Sequence, residues 1–285
     1  LSASAACGRD EFLSAERRPS AAVRTETPSA IQYNRDVSRP TNRLLELPEN
    51  VDASPPNEDF VREAEELGIA FDPGDVDRLA RFVGLLLRAN SMINLTAIRE
   101  PGPAWRRHIL DALTLVPLLA DLDDRAQRLS ESDAEAAPSV ADVGSGGGLP
   151  VVPLAIVLPR LRFVAIEATG KKAAFIELAA RRLGLDNLTV INDRAEAVAR
   201  DPLFREAFDA VTARAVGKLA VVAELTVPLA RLDGRVLLVK GERADEELAE
   251  AKQALHLLHT QHHSTHPSPT GRIVVLTKSK PIPKA

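Results

Sequence analysis

The distribution of apolar positions along the chain changes character twice. Residues 1–57 are rich in Ser, Ala, Arg and Pro, show no sustained apolar period and end in Ser54-Pro55-Pro56. Such a stretch buries too little apolar surface to offset its ordering entropy, so a disordered leader is expected over 1–57. From Glu58 a helical period takes over. After Asp72-Pro73-Gly74, the residues Val76, Leu79, Ala80, Val83, Leu86 and Leu87 recur three and four positions apart and make one apolar face. A second helical stretch is predicted from about Pro103 through Leu119, carrying Ile109, Ala112, Leu113 and Val116. Residues 120–139, with Asp121, Asp123, Asp124, Glu131, Asp133 and Glu135, read as a polar linker or as an extension of that helix. Residues 58–138 are therefore expected to form a helical N-terminal subdomain and linker.

From Ser139 short apolar runs alternate with helical patterns, which is the signature of βαβ units and a parallel sheet. Strands are predicted at Val140–Val143, Arg162–Ile166, Leu188–Ile191, Ala210–Thr212, Arg235–Val239 and Ile273–Thr277. Helices are predicted between them, among others at Lys171–Leu183, Leu219–Leu232 and Asp245–His259. No internal repeat is visible.

Composition narrows the function classes. With 285 residues, the chain is long enough for one sizeable core plus an appendage. Its net charge of −4 argues against a protein that coats nucleic acid non-specifically, while leaving room for a local basic patch. The single cysteine, Cys7, allows neither an internal disulfide nor a cysteine-based metal site, which fits a reducing compartment. No apolar run approaches the roughly 20 residues needed to span a bilayer. Asp10, Glu11, Glu16 and Glu26 make the N-terminal segment unlike a transit peptide, so a cytoplasmic location is expected, with an organelle as the alternative.

The richest chemical signal is Asp142-Val143-Gly144-Ser145-Gly146-Gly147-Gly148-Leu149, directly after the first predicted strand. Glycines there permit positive φ and a close backbone approach to a ligand. A dinucleotide fingerprint needs a glycine where Leu149 stands. The run fits D-x-G-x-G-x-G instead, the first motif of class I methyltransferases. Glu167 ends the next strand, where a carboxylate can accept hydrogen bonds from both hydroxyls of a ribose; a solvated acid at a strand end is the plainer alternative.

Several further segments bring the chain close to one family. Asn94-Leu95-Thr96-Ala97-Ile98, Arg107-His108-Ile109-Leu110-Asp111-Ala112-Leu113, the Asp142–Pro150 loop, Gly170-Lys171-Lys172, Arg194-Ala195-Glu196 and Ala213-Arg214-Ala215 occur in this order. From about Val61 to Ile282 the chain resembles the GidB or RsmG methyltransferases, which methylate N7 of a guanine in small-subunit (16S) ribosomal RNA. The resemblance implies a doubly wound, mostly parallel seven-stranded sheet over 139–285, binding S-adenosylmethionine. It further implies cofactor contacts at Gly144 and Leu149, at Glu167, Ala168 and Thr169, at Ala195 and Glu196, and at Arg214. Gly147 stands where many relatives have Pro or Ala, and Glu167 where some have Asp.

The residues can be weighed without the family. Cys7 lies far from any site, which disfavours C5 methylation of pyrimidines through a cysteine nucleophile. Thr212-Ala213-Arg214-Ala215 stands where methyltransferases of exocyclic amines carry an Asp/Asn-Pro-Pro-aromatic segment. Guanine N7 has a lone pair and no proton to remove, so in-line positioning suffices and no general base is expected. Arg214 and Lys240 are positioning candidates, each with a structural ion pair as the alternative. Arg106, Arg107 and His108 are candidates for an RNA-facing patch or for the charged face of a surface helix. No metal site is expected from His256, His259, His262, His263 and His266, which lack suitably spaced acidic or Cys partners. The expected partner is small-subunit ribosomal RNA or the ribosomal particle, without membrane, and the protein is expected to be a monomer. The rival readings are a methyltransferase for a small molecule or a protein, and a non-catalytic nucleotide-binding regulatory or cell-division factor.

Overall fold

A computed structural model describes residues 47–129 and 137–282, so the expected leader up to residue 46 lies outside the described residues. Residues 47–57 do not behave as a leader. Leu47 is buried, Arg182 donates to the carbonyl oxygens of Leu47 and Pro48 at 2.9 and 2.7 Å, and Ser54 N donates to Ala80 O at 2.9 Å. The segment has no internal period because it is an extended strap held by partners distant in sequence at Ala80, Trp105 and Arg182.

The N-terminal helices are α1 (Phe60–Glu66), α2 (Asp75–Ile93), α3 (Pro101–Ala104), a π-helical segment (Trp105–Leu110), α4 (Asp111–Leu113) and α5 (Val116–Gln127). The predicted Pro103–Leu119 helix is thus interrupted at Thr114-Leu115, and the acidic stretch after it begins as helix. Leu119, Leu122 and Ala126 give α5 a buried face, while Asp121 pairs with Arg235 and Asp123 with Arg160. These helices share a core with the sheet. Phe82 of α2 packs on Phe175 with ring centroids 6.5 Å apart, and Phe60 meets Trp105 edge-on at 4.5 Å.

The remainder alternates β1 (Ser139–Val143), α6 (Val151–Val157), β2 (Arg162–Ile166), α7 (Gly170–Leu183), β3 (Leu188–Ile191), α8 (Ala195–Val198), β4 (Phe208–Arg214), α9 (Leu219–Thr226), β5 (Ala230–Lys240), α10 (Ala244–Glu250), α11 (Lys252–Leu257), β6 (Thr260–Ser268) and β7 (Gly271–Lys278). The strands make one seven-stranded sheet in the order β3-β2-β1-β4-β5-β7-β6. β1 to β5 are parallel, whereas β7 runs antiparallel to both β5 and β6. This is the doubly wound α/β class read from the sequence.

Three elements differ from expectation, one of them the predicted Asp245–His259 helix, which is divided at Ala251 into α10 and α11 and ends at Leu257. The helix predicted to reach Leu232 stops at Thr226, and β5 begins at Ala230. The end of the His-rich segment, for which no strand is predicted, is the edge strand β6, with a bulge between His262 and Ser264. An edge strand is solvated along much of its length and carries no alternating apolar signal.

Candidate active site

The five parallel strands end on one side of the sheet, and the chemistry read from the sequence converges there. After β1 the chain turns at once: Gly144 N donates to Ile166 O at 2.9 Å and Gly148 N to Ser145 O at 2.8 Å. Gly144 and Gly148 take φ of 72° and 77°, which disfavours a side chain at either position. Their space is nevertheless taken by protein. A Cβ at Gly144 would stand 2.9 Å from Val216 Cγ2, and one at Gly148 2.8 Å from Val152 Cγ2. At Gly146 a Cβ would meet only Gly144 O at 3.7 Å, so a side chain there is free to stand in the cavity the residue lines. The close-approach position is therefore Gly146 rather than Gly144.

Two acids lie beneath this turn. Asp142, almost completely buried in β1, accepts from Thr212 Oγ1 at 2.8 Å, and its second oxygen has no hydrogen-bond partner among the described residues. Burial pushes its carboxyl up to about 6. Glu167, also buried, accepts from Gly146 N at 2.8 Å with one oxygen and from Thr169 N at 2.7 Å with the other. Each carboxylate oxygen keeps a further lone pair, so a ribose diol is still an acceptable partner.

A cavity of about 520 Å³ opens beside the turn, within the range of sites for small ligands. It brings together Gly144, Leu149, Arg107, His108, Arg214 and Lys240 from the sequence-derived candidates. It also includes Lys172, Thr96 and Thr270, to which sequence reasoning gave no role. Glu167, Ala168, Thr169, Ala195 and Glu196 do not line it; they stand after β2 and β3, where Asn192 Nδ2 donates to Glu167 O at 2.8 Å.

Arg106 and His108 are not parts of one exposed patch. Arg106 is exposed and lines a separate cavity with Trp105, Phe60 and Pro55. His108 is buried, with Nε2 2.7 Å from Thr96 Oγ1 and Nδ1 3.1 Å from Arg107 O and 3.3 Å from Arg214 Nη2. The two Nδ1 contacts belong to opposite tautomers. Burial and the neighbouring Arg214 push the imidazole down to about 4, so it is uncharged near neutrality. Residues two apart on a helix do not face each other, which is why Arg106 and His108 part company.

Arg214 ends β4 and is largely buried, its Nη1 donating to Arg107 O at 3.0 Å and to Asp111 Oδ2 at 3.2 Å. Asp111 is fully buried, and its other oxygen accepts from Thr270 N at 3.2 Å and Thr270 Oγ1 at 2.6 Å. Lys240 Nζ pairs with Glu247 at 2.7 Å and donates to Gly217 O, so its alternative reading as an ion pair describes what the structure holds. Lys172 and the Arg107 side chain form no ion pair among the described residues. Thr96 and Asp111 lie inside motifs noted in the sequence, but their partnership is invisible without the fold. Among the described residues no group of three His, Cys, Asp or Glu stands together as metal ligands, and no helix is long and apolar enough to cross a membrane.

With this geometry in hand, likeness to known proteins is decisive. The family model for rRNA small subunit methyltransferase G matches residues 75–274. The chain belongs to this family. It is 44% identical over 240 residues to ribosomal RNA small subunit methyltransferase G of Sorangium cellulosum, covering 84% of this chain and 95% of that protein. The protein of the same name from a Roseiflexus species is 40% identical over 195 residues, covering 68% and 77% respectively. Among solved structures, an O-methyltransferase from Bacillus cereus in complex with SAH superposes with a TM-score of 0.50 at 15% identity, covering 77% of this chain and 96% of that one. That likeness shows the fold alone. For a chain of this family S-adenosylmethionine is the cofactor, and the cradle formed by Gly146, the buried Glu167 carboxylate and the unpartnered Asp142 oxygen fits an adenosyl ligand.

Proposed function

We propose that the protein transfers a methyl group from S-adenosylmethionine to N7 of a guanine in small-subunit ribosomal RNA, acting as a cytoplasmic monomer on the RNA or the ribosomal particle. The observation that carries this reading is the lining of the cavity beside the glycine turn. Among the described residues its lining has four cationic side chains, of which Arg214 and Lys240 are ion-paired to Asp111 and Glu247 while Arg107 and Lys172 are not, together with one uncharged imidazole and no carboxylate. A cationic mouth suits a phosphate backbone, and the absence of a carboxylate base suits a nitrogen that has no proton to lose.

Gly144, Gly146 and Leu149 would hold the cofactor on one side, and Glu167, Ala168, Thr169, Ala195 and Glu196 would receive its ribose and adenine on the other. When bound, S-adenosylmethionine supplies an electrophilic methyl group. Arg214 would orient the base or its phosphate, and uncharged His108 keeps a second positive charge away from that guanidinium.

The test is transfer of labelled methyl to small-subunit particles lacking the modification, followed by nucleoside mass spectrometry. Label recovered as 7-methylguanosine supports the proposal. Label found only in ribosomal protein or in another nucleoside would overturn it.

A further inference from the structure

Arg214 stands in the site with much of its bonding capacity already used, and the side chain that uses it is itself out of reach of any substrate. A guanidinium has five N–H donors. Here both Nη1 donors are taken by Arg107 O and Asp111 Oδ2, and Nη2 faces His108 Nδ1. Nε–H and at least one Nη2–H have no acceptor among the described residues, and the side chain lines the cavity. Asp111 has no exposed surface, and both its oxygens are spent on residues of the cavity wall: Arg214 from β4, and Thr270 from the turn between β6 and β7.

We propose that Asp111 is a positioning residue: it fixes the Arg214 guanidinium and the β6–β7 turn in one arrangement, so that the free donors of Arg214 meet an acceptor oxygen of the substrate, a base carbonyl or a phosphate. The inference rests on the methyltransferase reading above for what occupies the cavity, but the Asp111–Arg214 linkage stands without it. Buried charge pairs are weak contributors to stability, because desolvation consumes much of the Coulomb gain. Their retention here has a geometric purpose: a long flexible side chain is held in one rotamer before the substrate arrives. Lys240 shows the contrast. Its charge is neutralised by Glu247 on α10, whose same Oε2 also accepts from Leu219 N at 2.8 Å, so that pair serves a helix start.

Asn at 111 keeps the size but has a single, uncharged acceptor oxygen: it either accepts from Thr270 and turns an N–H toward Arg214, or accepts from Arg214 and leaves Thr270 N facing an N–H. In D111N, methyl transfer to small-subunit particles, normalised per cofactor-binding site, is expected to fall about 10- to 100-fold in kcat, with S-adenosylmethionine affinity within about twofold of wild type. Substituting D111N into R214A is expected to add no further loss, since the effect passes through Arg214. Independently of activity, the Arg214 N–H signals in 15N NMR should lose their protection from exchange in D111N. A full additional loss in R214A/D111N, or unchanged Arg214 signals in D111N, would overturn the proposal. Should D111N alone not fold, the comparison of R214A with R214A/D111N, in which both charges are gone, decides. A wild-type protein that methylates no particle would remove the proposed function while the NMR comparison still judges the linkage.

Discussion

The indole N–H of Trp105 donates to the carbonyl oxygen of Ser54 at 2.9 Å across 51 residues of chain. It ties the extended 47–57 segment to the π-helical turn that carries Arg107 and His108. The same segment lies so close to α2 that a Cβ on Gly84 would overlap the Asp52 carbonyl.

Removing residues 1–57 should therefore destabilise the protein, whereas ending the deletion at residue 46 should not. Loss of the Leu47 contact and of the strap's hydrogen bonds, offset by the entropy released, amounts to on the order of 2–4 kcal/mol. That corresponds to roughly 5–15 °C in Tm. Gly84→Ala should displace the strap and move Tm in the same direction. Thermal unfolding of the two truncations decides it, and equal transitions would show the strap to be ornamental.

Gly146→Val is expected to abolish S-adenosylmethionine binding in a protein that still folds, because its side chain meets the cavity and not the core. The φ of 56° adds a strain of about 1 kcal/mol. Gly144→Val should lose both binding and stability, since it collides with Val216. Calorimetric titration beside a melting curve separates the two, and a G146V protein binding like wild type would move the adenosyl group elsewhere.

Glu167→Ala should weaken cofactor binding roughly 10- to 150-fold, the range for losing charged hydrogen bonds. The structure adds a second cause to the loss of a ribose acceptor, because Glu167 also anchors Gly146 N and Thr169 N. Glu167→Gln retains one carbonyl acceptor and should fall between wild type and alanine. Titration with S-adenosylhomocysteine that ranks glutamine with wild type would assign the carboxylate charge no part in binding.

Stability should depend on pH through two groups of opposite sign. His108 has its folded value lowered from 6.5 to about 4, so between these values the unfolded chain binds more protons and stability falls as pH falls. Asp142 has its folded value raised from 3.8 to about 6, so in that window the native state binds more protons and stability is lost as pH rises. Asp142→Asn removes the second effect. The stability of wild type relative to D142N should then drop by up to about 3 kcal/mol between pH 4 and pH 7. Denaturant titrations at the two pH values measure it, and a constant difference would mean that Asp142 does not titrate in this range.

The sequence by itself determined the βα alternation, the glycine turn after β1 and the carboxylate at the end of β2. These are set by short-range rules: apolar periods of two and 3.6 residues, and the tolerance of glycine for positive φ. Together they placed Gly144, Leu149, Glu167 and Arg214 on one side of the sheet. Only the tertiary structure decided what those residues touch. Asp111 reaches Arg214 across 103 residues and Thr270 across 159, and Ser54 reaches Trp105 across 51. Hydrogen-bond partners chosen over such separations leave no periodic trace, because each depends on how whole helices dock on the sheet. The fold likewise turned His108 inward as an uncharged neighbour of Arg214 and left Arg106 on another face, although the two are separated by a single residue. The edge strand β6 escaped notice for a related reason: its pairing is with backbone, and backbone hydrogen bonds are indifferent to the histidines that carry them.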